Sequence, residues 1–129
     1  MAHGQITHIE FPADDTSRAG RFYRELFGWE LGEMPQFPNY LLFSMGAIER
    51  AGGAIGMRGQ SVGEKLRIYV EVDAIDAVLP RVPELGGKVV TPRTEIKGQG
   101  WYAVVEDSEG SEIGLYEGGN SAAGSSRLA

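Results

Sequence analysis

A strand and helix pattern that occurs twice restricts this chain to a small set of folds. Ile6 to Leu31, ITHIEFPADDTSRAGRFYRELFGWEL, returns in shortened form as Leu66 to Val90, LRIYVEVDAIDAVLPRVPELGGKVV. A second landmark agrees with the first: Ala54-Ile55-Gly56-Met57 and Glu112-Ile113-Gly114-Leu115 lie 58 positions apart, and His8 and Arg67 lie 59 apart. In a duplicated unit each helix is buried on the back of its own sheet, and the other faces of the sheets line a shared concave cavity. The expected class is α+β. Two βαβββ modules, about residues 5–58 and 65–117, form a cupped mixed sheet with the helices outside, all within one domain spanning 1–129.

Local pattern supplies the elements. Ile6 to Phe11 alternates, with Ile9 and Phe11 on one face and His8 and Glu10 on the other. Pro12 ends the strand and Asp14 to Thr16 offers helix caps. Apolar residues then fall at Ala19, Phe22, Tyr23, Leu26 and Phe27, a helical stripe expected to be core. Gly28 stands where a left-handed cap belongs, and Trp29 to Leu31 is expected to begin the next strand. Pro35 and Pro38 bracket a loop, and strands are expected over Tyr40 to Met45 and Gly52 to Met57. Arg58 to Lys65 is a polar linker.

In the second half, Leu66 to Val72 is an expected strand, and Asp73 is the expected cap of a stripe at Ile75, Val78, Leu79, Val82 and Leu85. Pro80 and Pro83 each remove a backbone donor, which predicts a bent or partly 3₁₀ segment. Gly86 and Gly87 stop it. Strands follow at Lys88 to Thr91, Trp101 to Glu106 and Glu112 to Glu117, with a turn at Asp107 to Gly110. The tail, 118–129, is rich in Gly, Ser and Ala and is expected to be disordered.

Composition removes whole classes of function. A chain of 129 residues buries a core without staples, and the absence of cysteine excludes disulfides, thiolate metal sites and a cysteine nucleophile. A net charge of -6 and a pI near 4.9 argue against nucleic acid and anionic membrane as partners. A small molecule is the expected partner. No apolar run approaches a membrane span, and Met1 to Gln5 leads into no signal core, so a cytoplasmic location is expected. Gly59-Gln60-Ser61-Val62-Gly63 matches a serine-hydrolase elbow, but it sits in the polar linker and no histidine follows it.

Strand parity gives the cavity lining. With Ile9, Ile55, Ile68 and Ile113 toward the helices, His8, Glu10, Gly56, Arg67, Tyr69, Glu71, Glu112, Gly114 and Tyr116 face inward. Trp101 and Tyr102 follow a glycine loop, and one of these rings is a candidate to close over the cavity mouth. Phe37 to Tyr40 occupies the corresponding loop region of the first module.

HIEFPADDTSRAGRFYRELFGW, VEVDAIDAVLPRVPELGGKVV and DSEGSEIGLYE together resemble the vicinal oxygen chelate superfamily, which includes glyoxalase I, bleomycin-resistance proteins and extradiol dioxygenases. The resemblance covers about residues 5–117. It implies paired βαβββ modules, often completed by a homodimer, and in the enzymes a divalent metal held by four inward side chains. The matching positions here are His8, Gly56, Arg67 and Gly114, of which His8 alone is a metal ligand by type. No metal or other cofactor is therefore expected; a displaced divalent site using His8, Glu10 and Glu112 is the alternative. The functional expectation is a metal-independent protein binding a small anionic or aromatic molecule. Arg67 would supply a planar fork of donors or pair with Glu10 or Glu71, and Tyr69, Tyr116 and Trp101 would supply walls. The alternative is a lyase, isomerase or dioxygenase-like enzyme using a displaced metal or a His8/Glu10 acid–base pair.

Overall fold

The computed structural model describes residues 3–44 and 52–118. The expected end of one strand at Met45 and the tail beyond Gly118 lie outside the described residues. Two compact units emerge. His8 to Arg67 forms the first, and the flanking chain, up to Thr7 and from Ile68, forms the second.

The first unit contains β1 (Ile6–Ala13, whose first two residues group with the second unit), α1 (Thr16–Phe27), β2 (Gly32–Met34), β3 (Phe37–Ser44) and β4 (Gly52–Met57). Its strands order as β2-β3-β4-β1, with β1 and β4 parallel and the other neighbours antiparallel. Extended Asp15 starts α1 by accepting the Arg18 N–H at 3.0 Å. Gly28, at φ 76°, ends it with its N–H on the Arg24 carbonyl.

The apolar stripe of α1 is not core, contrary to its helical period. Phe22, Leu26 and Phe27 are 57%, 59% and 57% exposed, and the buried positions are Thr16 and Gly20. Gly20 decides which side faces the sheet, because a Cβ there would lie 2.9 Å from Leu41 Cδ1 and 3.3 Å from Leu31 Cδ1. The helix seats on its small residues and Tyr23 and turns Phe22, Leu26 and Phe27 outward. Trp29 to Leu31 likewise does not begin a strand. Trp29 instead stacks against Tyr23 at 5.0 Å and Phe43 at 4.4 Å, and pairing starts only at Gly32. The loop expected around Pro38 is part of β3. Pro38 falls where the β2–β3 register shifts, and Asn39 takes up φ 58° with its N–H on the Glu33 carboxylate at 2.8 Å.

The expected linker folds back on β4. The Met57 carbonyl accepts from Gln60, Ser61 and Val62, and Ser61 Oγ accepts the Met57 N–H at 2.8 Å. The serine of the elbow-like motif is thus a turn hydroxyl.

The second unit contains β5 (Arg67–Glu71, its first residue grouped with the first unit), α2 (Ile75–Val78), α3 (Arg81–Glu84), β6 (Lys88–Ile96), β7 (Gly100–Glu106) and β8 (Glu112–Gly118). The order is β5-β8-β7-β6, with β5 and β8 parallel. The prolines break the expected helix into two four-residue pieces, with Pro80 at the start of the second. Val72, Ile75, Ala103, Val105 and Leu115 form the buried core against them. Among the described residues no helix is long and apolar enough to cross a membrane.

Asp73 does not cap α2. Its own N–H is held by His3 Nδ1 at 3.0 Å, and the Ile75 N–H donates instead to the Glu117 carboxylate of β8 at 2.9 Å. Arg93 clamps the same carboxylate with two bonds, at 3.2 and 3.0 Å, and lies 3.7 Å above the Trp101 ring. Burial alone would raise the Glu117 pKa, but Arg93 and the Ile75 amide outweigh it and hold the carboxyl below its ordinary value. Its stabilisation is therefore present above the unfolded-state carboxyl pKa and is lost as pH falls through the depressed folded value. Glu117→Ala strands Arg93 and the Ile75 N–H, so a urea denaturation series should show a loss of about 2 kcal/mol or more at neutral pH. The difference between the two proteins should shrink as the buffer is acidified.

Candidate ligand site

On β1, alternation sets His8 and Glu10 on one face, and the parallel register places Gly52 and Ala54 of β4 beside them and Gly56 beside Pro12. Across β4, Tyr40 of β3 pairs with Gly56. The inner face of β4 therefore carries Gly52, Ala54 and Gly56, and the Tyr40 side chain crosses it. Tyr40 Oη donates to Glu10 Oε2 at 2.7 Å and lies 2.9 Å from His8 Nε2.

The proton count fixes the arrangement. A phenol has one proton, and Tyr40 gives it to Glu10, so the His8 bond is an Nε2–H donation to the phenol oxygen. The imidazole and carboxylate stand 4.0 Å apart, both largely buried. Burial pushes the His8 pKa down to about 4, so the ring is neutral at physiological pH. A neutral imidazole, a phenol and a buried carboxylate in series make a hydrogen-bonding surface. With a pKa of about 4, His8 is a weak base at neutral pH.

Arg67 is half-buried, and its guanidinium packs against Gly63, where a Cβ would lie 2.7 Å from Nη2. The remaining expected site residues lie in the second unit. Tyr69 is buried with its ring over Gly114, Glu71 accepts the Gly4 N–H on its carbonyl, and Glu112 is exposed at the start of β8. Tyr116 is buried with its hydroxyl donated to the Gln99 carbonyl. Trp101 pairs with Glu117 and packs with the helix-side core under Arg93; Tyr102 is the ring that pairs with Tyr116. Tyr40, which completes the first-unit network, is placed by sequence at the start of a strand and at the end of the Phe37 to Tyr40 loop region, without being assigned to the site. Its nearest local signal is the bare inner face of β4 opposite it.

Known proteins share this arrangement of elements. Residues 5–46 match the family model described as bleomycin resistance protein-like N-terminal. A glyoxylase-like domain-containing protein of Didymella fabae is 32% identical over 93 residues, covering 68% of this chain and 73% of that protein. The chain belongs to the vicinal oxygen chelate superfamily. CFP32 of Mycobacterium tuberculosis, which carries a glyoxylase name, is 29% identical over 119 residues, 88% of this chain and 46% of that protein. The chain thus spans about half the length of that relative. A solved glyoxalase/bleomycin resistance protein/dioxygenase superfamily member from Vibrio splendidus shares the fold, with a TM-score of 0.62 at 13% identity, over 88% of this chain and 98% of that one.

The four positions that hold metal in enzymes of the vicinal oxygen chelate superfamily do not offer a ligand set here. A Cβ on Gly56 would lie 2.5 Å from Val62, 2.9 Å from Ser61 Oγ and 3.1 Å from Tyr40 Cδ1. A Cβ on Gly114 would collide with the Tyr69 ring, and Arg67 brings a cation. The space that a ligand side chain would need is taken by neighbouring side chains. Among the described residues no group of three or more His, Asp or Glu side chains is placed to share an ion. The residues present do not fit the superfamily's four-ligand centre.

His8 should titrate near pH 4 in a side-chain NMR experiment, well below its ordinary 6.5. Its folded pKa is lowered, so the associated stability is complete above the unfolded value and declines as pH falls from about 6.5 towards 4, by up to about 3 kcal/mol. A His8 resonance titrating at 6.5 would show that the ring is not buried in this network.

Proposed function

We propose that this member of the vicinal oxygen chelate superfamily binds a small anionic or aromatic molecule through hydrogen bonds and ring contacts, without a metal ion. The observation that carries the reading is the Tyr40 ring, laid across Gly56 and bonded to both His8 and Glu10. It fills the place of a ligand side chain and ties down the one histidine of the set. Hydrogen bonding in a partly dry site gives orientation and specificity where a metal would have given Lewis acidity. Arg67 contributes the fixed positive charge that an anionic group would seek.

The competing reading is a lyase, isomerase or dioxygenase-like enzyme. Its support lies in the same series of groups, because three titratable side chains bonded in a row can pass a proton. The low pKa of His8 counts against it as a general base at neutral pH.

A thermal-shift screen of acidic metabolites and aromatic compounds, run with chelator and again with added divalent ions, tests the proposal. The expected hit raises the midpoint equally in both conditions, and Arg67→Ala weakens an anionic hit by roughly tenfold or more. Ligands that bind only when a divalent ion is added would contradict metal independence. Full affinity in Arg67→Ala would remove the anion-binding role.

A further inference from the structure

We propose that the first unit holds a second small-molecule site, on the face of its sheet opposite the His8–Tyr40–Glu10 network, and that this site takes an uncharged aromatic molecule of one or two fused rings. It stands independently of what the ligand site binds. Ile9, Phe11, Trp29 and Phe43, with Ser44 at the margin, enclose a hollow of about 320 Å³ lined almost wholly by apolar atoms. Alternation along β1 sends Ile9 and Phe11 to the side away from His8 and Glu10, so the two sites share a strand and no lining residue. All five lining residues belong to the first unit.

The walls of the hollow are held in place before any guest arrives. Trp29 stacks on Tyr23 at 5.0 Å and 10°, and on Phe43 at 4.4 Å and 24°, so two neighbours fix its plane. Phe43 needs a bare backbone beside it, because a Cβ on Gly53 would lie 2.7 Å from its Cζ. Phe11 stands at 65° to Trp29 and 54° to Phe43. A flat guest therefore meets rings in two orientations, which allows the offset-stacked and edge-to-face contacts that aromatic pairs prefer. The helix does not fill the space: α1 seats on Gly20 against Leu31 and Leu41, and its exposed Phe22, Leu26 and Phe27 line no part of the hollow.

Size and charge define the occupant. An apolar cavity of about 150 Å³ takes one benzene. The hollow here, at about 320 Å³, lies at the lower end of the range for small-molecule pockets and admits two fused rings. None of the five lining residues is ionisable. A charged ligand would lose its hydration there with no partner to replace it, whereas a neutral ring gains by leaving water. A single polar substituent is accommodated at the Ser44 margin.

A ¹⁵N NMR titration of the full chain with 2-naphthol, uncharged at neutral pH, and with the ring-matched anion naphthalene-2-sulfonate is the test. The chain has two tryptophans, so each indole N–H is a separate reporter. Saturable, sub-millimolar 2-naphthol binding should shift the Trp29 resonance and leave that of Trp101 in place, and the sulfonate should bind at least tenfold more weakly. Ile9→Phe fills the interior and Ser44→Phe closes the margin from an exposed position. Each should weaken 2-naphthol at least tenfold with an unchanged circular dichroism spectrum, and Ser44→Phe decides alone should Ile9→Phe fail to fold. A Trp29 resonance that does not move, whether 2-naphthol binds elsewhere or nowhere, overturns the proposal. Equal affinity for the sulfonate, or full affinity for 2-naphthol in either folded variant, overturns it as well.

Discussion

Tyr40 reaches His8 and Glu10 only because the strand lying between β1 and β3 is nearly bare on the face they share. Gly52, Ala54 and Gly56 of β4 raise at most one methyl group into the path of the phenol ring. The opposite face is equally constrained at Gly53, where a Cβ would meet the Ile9 carbonyl and the Phe43 ring. A side chain placed at Gly56 would be driven into Val62, Ser61 and Tyr40 together. The bare position at Gly56 and the His8–Tyr40–Glu10 network are two aspects of one packing arrangement.

The two units solve their burial problem differently. The second has a closed apolar core around Ile75, with a short, proline-broken pair of helices held at its start by Glu117 rather than by a local cap. The first relies on an aromatic cluster in which Tyr23, Trp29, Phe43 and Phe11 stack at 4.4 to 6.1 Å. That cluster stays partly open because α1 seats on Gly20 and cannot roll its large residues over the sheet. An open aromatic face is a cost in water.

Much of this was legible in the chain because it depends on short-range periodicity. The βαβββ order of each half, the α1 caps and the His8 and Glu10 face follow from alternation and turn chemistry. What escaped depends on distant partners. Asp73 has the right position for a cap, but Glu117, 42 residues from Ile75, takes the bond. The α1 stripe has a helical period, yet which side is buried is set by the Leu31 and Leu41 contacts at Gly20. Tyr40 enters the site through a shift of register and a positive φ at Asn39, neither of which alternation reveals.

Neighbouring side chains pack against the backbone at Gly56 and Gly114, two of the superfamily's ligand positions. Elemental analysis of the protein purified without chelator, after equilibration with zinc, manganese and nickel and then desalting, tests it directly. Packed ligand positions predict far less than one ion per chain, unchanged in His8→Ala. One tightly held ion per chain that disappears in His8→Ala would contradict the claim.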